Sequence, residues 1–126
     1  MDNCNFRWSL QIAALLTIAG IAGALAQTAV PIEFRLIAAK ANMAGCSGLD
    51  TSLSRVHAIT LMGETAQLKS SGGINDTLKQ TSPSLYKTVF TLGGIRLDVV
   101  ADASKTPRSL TVTDAQRGCH WNAEAR

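Results

Sequence analysis

The stretch Leu85-Tyr86-Lys87-Thr88-Val89-Phe90-Thr91-Leu92-Gly93-Gly94-Ile95-Arg96-Leu97-Asp98-Val99-Val100-Ala101 decides the fold class. In its second arm Ile95, Leu97, Val99 and Ala101 alternate with Arg96 and Asp98, the two-residue period of a strand with one covered face and one wet face. In the first arm Tyr86, Phe90 and Leu92 share a face with Thr88. Gly93 and Gly94 stand between the arms, and a two-residue type I′ turn needs positive φ at both central positions, which two glycines supply without strain. A β-hairpin is therefore predicted here, with Ile95, Leu97 and Val99 facing the core.

The same reading extends in both directions. Toward the N-terminus, Thr81-Ser82-Pro83-Ser84 carries turn chemistry. It ends a weaker strand, Ile74 to Gln80, which Ser71-Gly72-Gly73 separates from a further hairpin. That hairpin joins Val56–Met62 to Thr65–Ser70 around Gly63-Glu64. Gly45-Cys46-Ser47-Gly48 breaks the chain, and Leu49 to Ser54 reads as loop. Ile32-Glu33-Phe34-Arg35-Leu36 alternates apolar and charged residues as a strand does, although the alanines around Lys40 also suit a helix, so 31–44 is strand or strand passing into helix. Toward the C-terminus, Asp102 to Ser109 is a loop containing Pro107. Leu110–Thr113 is a strand, Asp114 to Gly118 turns, and Cys119–Asn122 forms a last short strand.

The sum is an all-β domain: a small antiparallel meander of six to eight short strands, either an up-and-down barrel or a strongly curled sheet, preceded by an N-terminal signal helix. No family motif is present. The plan is similar to that of exported bacterial inhibitor and ligand-binding modules, but that likeness is one of architecture and carries no function.

The leader is residues 1–26. Leu10 to Leu25 is apolar apart from Gln11 and Thr17 and is broken by Gly20 and Gly23, and no charge occurs between Arg7 and Glu33. Ala24-Leu25-Ala26 places small residues where a signal peptidase needs them, so cleavage falls between Ala26 and Gln27 and leaves 27–126 as one β domain. An uncleaved anchor is the alternative, because Trp8 to Ile32 is long enough to cross a bilayer; membrane attachment is expected only through an uncleaved leader. Met43-Ala44-Gly45-Cys46 has the local look of a lipid-attachment site, yet Glu33, Arg35 and Lys40 precede it, which no hydrophobic leader would contain.

Cys4 leaves with the leader. The remaining pair, Cys46 and Cys119, lacks the short spacing of a zinc or redox site and reads as a disulfide in an oxidising compartment. The loop it closes is long enough for roughly 4 kcal/mol of stabilisation on loop-entropy grounds, and the bridge is expected to tie the beginning of the meander to its end, where a barrel needs closing. Removing Arg7 and Asp2 from 12 basic and 9 acidic residues leaves 11 and 8, so the mature chain still carries a net charge of +3. Its basic residues are scattered singly, which argues against nucleic acid as a partner.

Candidate chemistry is sparse. His57 and His120 offer a metal or hydrolytic site only if the fold brings them to a carboxylate. Asp102 and Asp114 follow β runs, where aspartate forms turns. No GxSxG elbow is present, and the glycine pairs at 72–73 and 93–94 open no helix that could receive a phosphate. Asn75-Asp76-Thr77 matches a glycosylation pattern, the threonines at 88, 91, 111 and 113 follow β propensity, and Trp121 reads as core beside the disulfide. No cofactor or metal ion is expected. The sequence thus implies a periplasmic or secreted, disulfide-stapled binding module acting without catalysis on an envelope protein or a small ligand. Ser82, Pro83, Ser84, Lys105, Pro107 and Arg108 are its expected contact-loop residues. The alternatives are a small envelope hydrolase using a histidine with a carboxylate, and a membrane-anchored structural protein of the envelope.

Overall fold

The computed structural model describes residues 29–125; the leader and the Ala26–Gln27 junction lie outside the described residues. Nine strands follow in chain order: β1 (Ile32–Arg35), β2 (Ile37–Ala38), β3 (Val56–Leu61), β4 (Thr65–Ser70), β5 (Asn75–Ser82), β6 (Leu85–Leu92), β7 (Ile95–Asp102), β8 (Ser109–Asp114) and β9 (Cys119–Glu124). They form one antiparallel sheet in the order β1-β3-β4-β5-β6-β7-β8-β9-β2. The central hairpin is as its alternation dictates. Leu85 pairs with Asp102 and Leu92 with Ile95, Gly93 and Gly94 take φ of 58° and 79°, and Leu97 and Val99 are buried while Arg96 is exposed.

The count exceeds the expected six to eight because the first strand is divided. β1 pairs with β3, whereas β2 pairs with β9. Between them Leu36 is buried and donates its N–H to the Arg55 carbonyl at 3.1 Å. One kinked strand is thus shared between the two ends of the meander, and the sheet becomes a nearly closed barrel. Closure of this kind removes most of the exposed edge that a curled sheet would leave. The interior is filled by inward side chains that include Phe34, Leu36, Ile59, Leu68, Leu78, Leu97, Val99, Leu110, Val112 and Trp121.

Two sequence expectations need correction. Leu49 to Ser54 is not loop: a 3₁₀ turn spans Ala44–Leu49 and a single α turn, α1, spans Asp50–Leu53. Cys46, Leu49 and Leu53 lie on its inward face and are buried, at spacings of three and four that match a helix. So short a helix has little intrinsic stability and is held by packing, which is why glycine and serine in this segment obscured it. The disulfide is formed, with a Cα–Cα distance of 5.8 Å. It does not join the first strand to the last, however. It fastens the helical segment to the start of β9, while hydrogen bonding through β1 and β2 closes the sheet.

Candidate functional site at the open end of the barrel

The strand directions sort the connections into two ends. At one end lie the 71–74, 93–94 and 115–118 turns and the helical segment 44–53, which covers the interior. At the other end lie the 62–64 and 83–84 turns, the 103–108 loop, the start of β1 and the end of β9. Among the described residues no helix lies over this second end. It brings together both loops expected from the sequence to make contacts: the Ser84 carbonyl accepts the Ala103 N–H at 2.8 Å. Ser82, Pro83, Lys105, Pro107 and Arg108 are exposed and Ser84 is half-buried.

Local chemistry holds these loops in place. The carboxylate of Asp102 accepts the Ser104 N–H at 2.9 Å and the Ser104 hydroxyl at 2.5 Å, which fixes the start of the 103–108 loop and holds the Asp102 pKa below its ordinary value. The Arg108 carbonyl accepts the Ala125 N–H at 2.8 Å at the other end of the loop. In the neighbouring turn Ser84 has φ of 61°, the one non-glycine residue with positive φ among the described residues, and Pro83 precedes it as in a type II turn. Tyr86, buried below, donates its hydroxyl to the Gly63 carbonyl at 2.7 Å and ties the 62–64 turn to β6.

A seam runs into this end. β1 stays with β3 as far as Ile32, but the ladder between β2 and β9 stops at Ile37 and Asn122, so β1 lies close to β9 without being paired to it. Beside β1 lies a groove of about 530 Å³ with Val30, Pro31, Glu33, Arg35, Val56 and Arg108 among its lining residues. Arg35 also borders a second hollow of about 450 Å³ on the outer face, together with Glu124. The sequence offered no sign of Glu33, Arg35 and Glu124 as a group, since their proximity depends on the strand switch at Leu36.

The groups considered for chemistry are kept apart. His57 is 1 % exposed, and its Nε2 donates to the Leu53 carbonyl at 2.9 Å; burial lowers its pKa from the ordinary 6.5, opposed by the Leu53 carbonyl. His120 is exposed on β9, with Nδ1 3.4 Å from the Thr113 hydroxyl oxygen. Asp114 is fully buried and salt-bridged to Arg117 (Oδ2 to Nε 2.6 Å), which also reaches the Gly45 carbonyl at 3.2 Å. The Arg117 hydrogen bond holds its pKa below the ordinary value against the opposing effect of burial. That pair binds the β8–β9 turn to the helical segment, a structural task. Trp121 is core, as expected, and its indole N–H donates to the Asp50 carboxylate at 2.8 Å. Among the described residues no group of three or more His, Cys, Asp or Glu side chains is placed to hold a metal ion, and no helix is long and apolar enough to cross a membrane.

Fold and site together define a small disulfide-bonded domain, a nearly closed β-barrel with an apolar core, in which a helical segment covers one end and, among the described residues, none covers the other. Compared with family models, with curated proteins and with solved structures, the chain matches none.

Proposed function

We propose that this protein is an exported binding module of the periplasm or the extracellular space, acting without catalysis on a protein partner held at the open end of the barrel. The observation that carries the reading is the convergence of the 83–84 turn, the 103–108 loop and the groove beside β1 on the end that no described helix covers. Loops on a rigid scaffold are where binding residues concentrate. A filled interior favours a protein over a small ligand enclosed within the barrel. The disulfide suits an oxidising compartment.

The test is capture from envelope extract by the immobilised oxidised protein. Loss of the captured species in Lys105→Ala/Arg108→Ala and Pro83→Ala variants, with retention in a variant of the capped end such as Thr91→Ala, supports the reading. Equal capture by all of them sinks it. A hydrolytic activity that disappears in folded His57→Ala or His120→Ala proteins replaces it with the hydrolase. Intact mass of the exported chain separates cleavage before Gln27 from a retained anchor.

A further inference from the structure

We infer that the end of the barrel covered by the helical segment carries a second site, a cleft that binds a small organic cation, an ammonium group on an apolar body, through the carboxylate of Asp76. It lies opposite the loops of the reading above and does not depend on that reading.

The alternation of β5 places a carboxylate where an apolar residue is expected. Asp76 is the Cα partner of Leu68 and lies two positions from Leu78, and both leucines are buried, so Asp76 belongs to the inner face of the sheet. It is half-buried there. Its Oδ1 accepts the Thr77 N–H at 2.8 Å, and its Oδ2 lies 3.5 Å from the hydroxyl oxygen of Thr88 on β6. An ionised carboxylate accepts about four hydrogen bonds, so acceptor capacity is left over. Among the described residues no Lys, Arg or His forms an ion pair with it. Arg55, whose stem passes beside Gly72 at the rim, sends its Nε to the Thr51 carbonyl instead. A carboxylate drawn partly out of water without a cation is costly, and a bound cation relieves that cost.

The wall beside Asp76 gives a ligand room to reach it. β5 and β6 are laddered from Lys79–Lys87 to Ser82–Leu85. Toward the covered end Asn75–Leu78 is paired with β4 alone, and Thr88–Leu92 with β7 alone. In this stretch lies a cleft of about 420 Å³, lined from both strands by Asp76, Phe90 and Leu92, from the intervening turn by Gly73 and Ile74, and from α1 by Ser52. Ile74, Phe90 and Leu92 are partly buried against the core, so they offer apolar surface that a ligand can cover. Asp76 is the one charged group among the described residues that line the cleft. An apolar lining with a few placed polar groups, in a space of this size, is the make-up of a small-molecule site. The single negative charge selects a cation, and the apolar lining selects one with a hydrocarbon body over a bare inorganic ion.

The probe is 2-phenylethylammonium chloride, titrated to millimolar concentration at neutral pH into the ¹⁵N-labelled oxidised protein. Its neutral counterpart 2-phenylethanol, its anionic counterpart 3-phenylpropionate and methylammonium, which has no hydrocarbon body, are titrated beside it. The expected result is a saturable shift of the Ile74, Asp76 and Thr91 amide signals with the phenylethylammonium ion. Phenylethanol should bind roughly tenfold more weakly, the size expected for loss of one charge-assisted bond, and phenylpropionate and methylammonium should not bind. Asp76→Asn keeps an oxygen for the Thr77 N–H and should fold; it should bind the ammonium no better than the alcohol. No saturable shift at these amides, equal binding of the alcohol or the anion by the native protein, or undiminished ammonium binding by folded Asp76→Asn overturns the proposal. The ligand series on the native protein decides it even if the variant does not fold.

Discussion

The indole N–H of Trp121 on β9 donates to Oδ1 of Asp50 at the start of α1, 2.8 Å away and 71 positions earlier in the chain. It is the polar contact between the largest buried side chain and the helical segment that closes one end of the barrel. A buried donor left without a partner costs about 1–3 kcal/mol. Asp50→Ala is expected to lower the unfolding free energy by roughly that amount, and Asp50→Asn, which keeps an acceptor oxygen, by clearly less. Urea unfolding of the three proteins measures the difference; equal loss in both variants would mean that the bond contributes nothing.

Cys46 and Cys119 hold the same segment covalently. Replacing both by alanine should cost about 2–5 kcal/mol. The location of the loss is the sharper expectation. Hydrogen exchange should accelerate first over 44–53, which packing and the hydrogen bonds from Trp121 to Asp50 and from Arg117 to Gly45 then retain, and last over β6 and β7, whose eight-residue ladder does not involve the bridge. Uniform acceleration across the sheet would contradict this placement of the disulfide.

His57 makes stability depend on pH. Burial lowers its pKa in the fold from 6.5, so the folded protein binds the proton less readily than the unfolded chain does. Its contribution is intact above pH 6.5 and is lost as the pH falls from there through the folded pKa. The slope is at most about 1.4 kcal/mol per pH unit. Denaturation midpoints between pH 7.5 and 5 should fall in the native protein and fall less in His57→Gln. The carboxylates enter lower down: Asp114, held below its ordinary 3.8 by Arg117, adds a second loss only as the pH drops below about that value.

Ser84 holds the left-handed backbone conformation at φ 61° in the 83–84 turn. A residue with Cβ is disfavoured there by about 1 kcal/mol, a strain that glycine does not have. Ser84→Gly should therefore raise stability by up to about 1 kcal/mol, less the extra entropy glycine has in the unfolded chain. Thermal unfolding checks the sign. A fall in Tm would show that the turn depends on the serine side chain.

Local pattern alone determined the two hairpins, the positions of nearly every strand and turn, and the oxidised cysteine pair. Alternation at Ile95 to Ala101 and the Gly93-Gly94 pair act over neighbouring residues, and their geometry is set by backbone sterics that need no distant partner. Tertiary structure alone decided how the sheet ends meet. The switch of partners at Leu36 depends on β3 and β9 lying on either side of one strand, and nothing within residues 32–38 records which neighbour each half will take. The helix at Asp50–Leu53 belongs to the same category, since four residues form a stable turn only when Leu49 and Leu53 have a barrel end to cover. The meeting of Glu33, Arg35 and Arg108 at the seam likewise exists only once the barrel has nearly closed. It joins residues more than 70 positions apart, whose closeness comes from packing and ladder register and leaves no periodic mark in the chain.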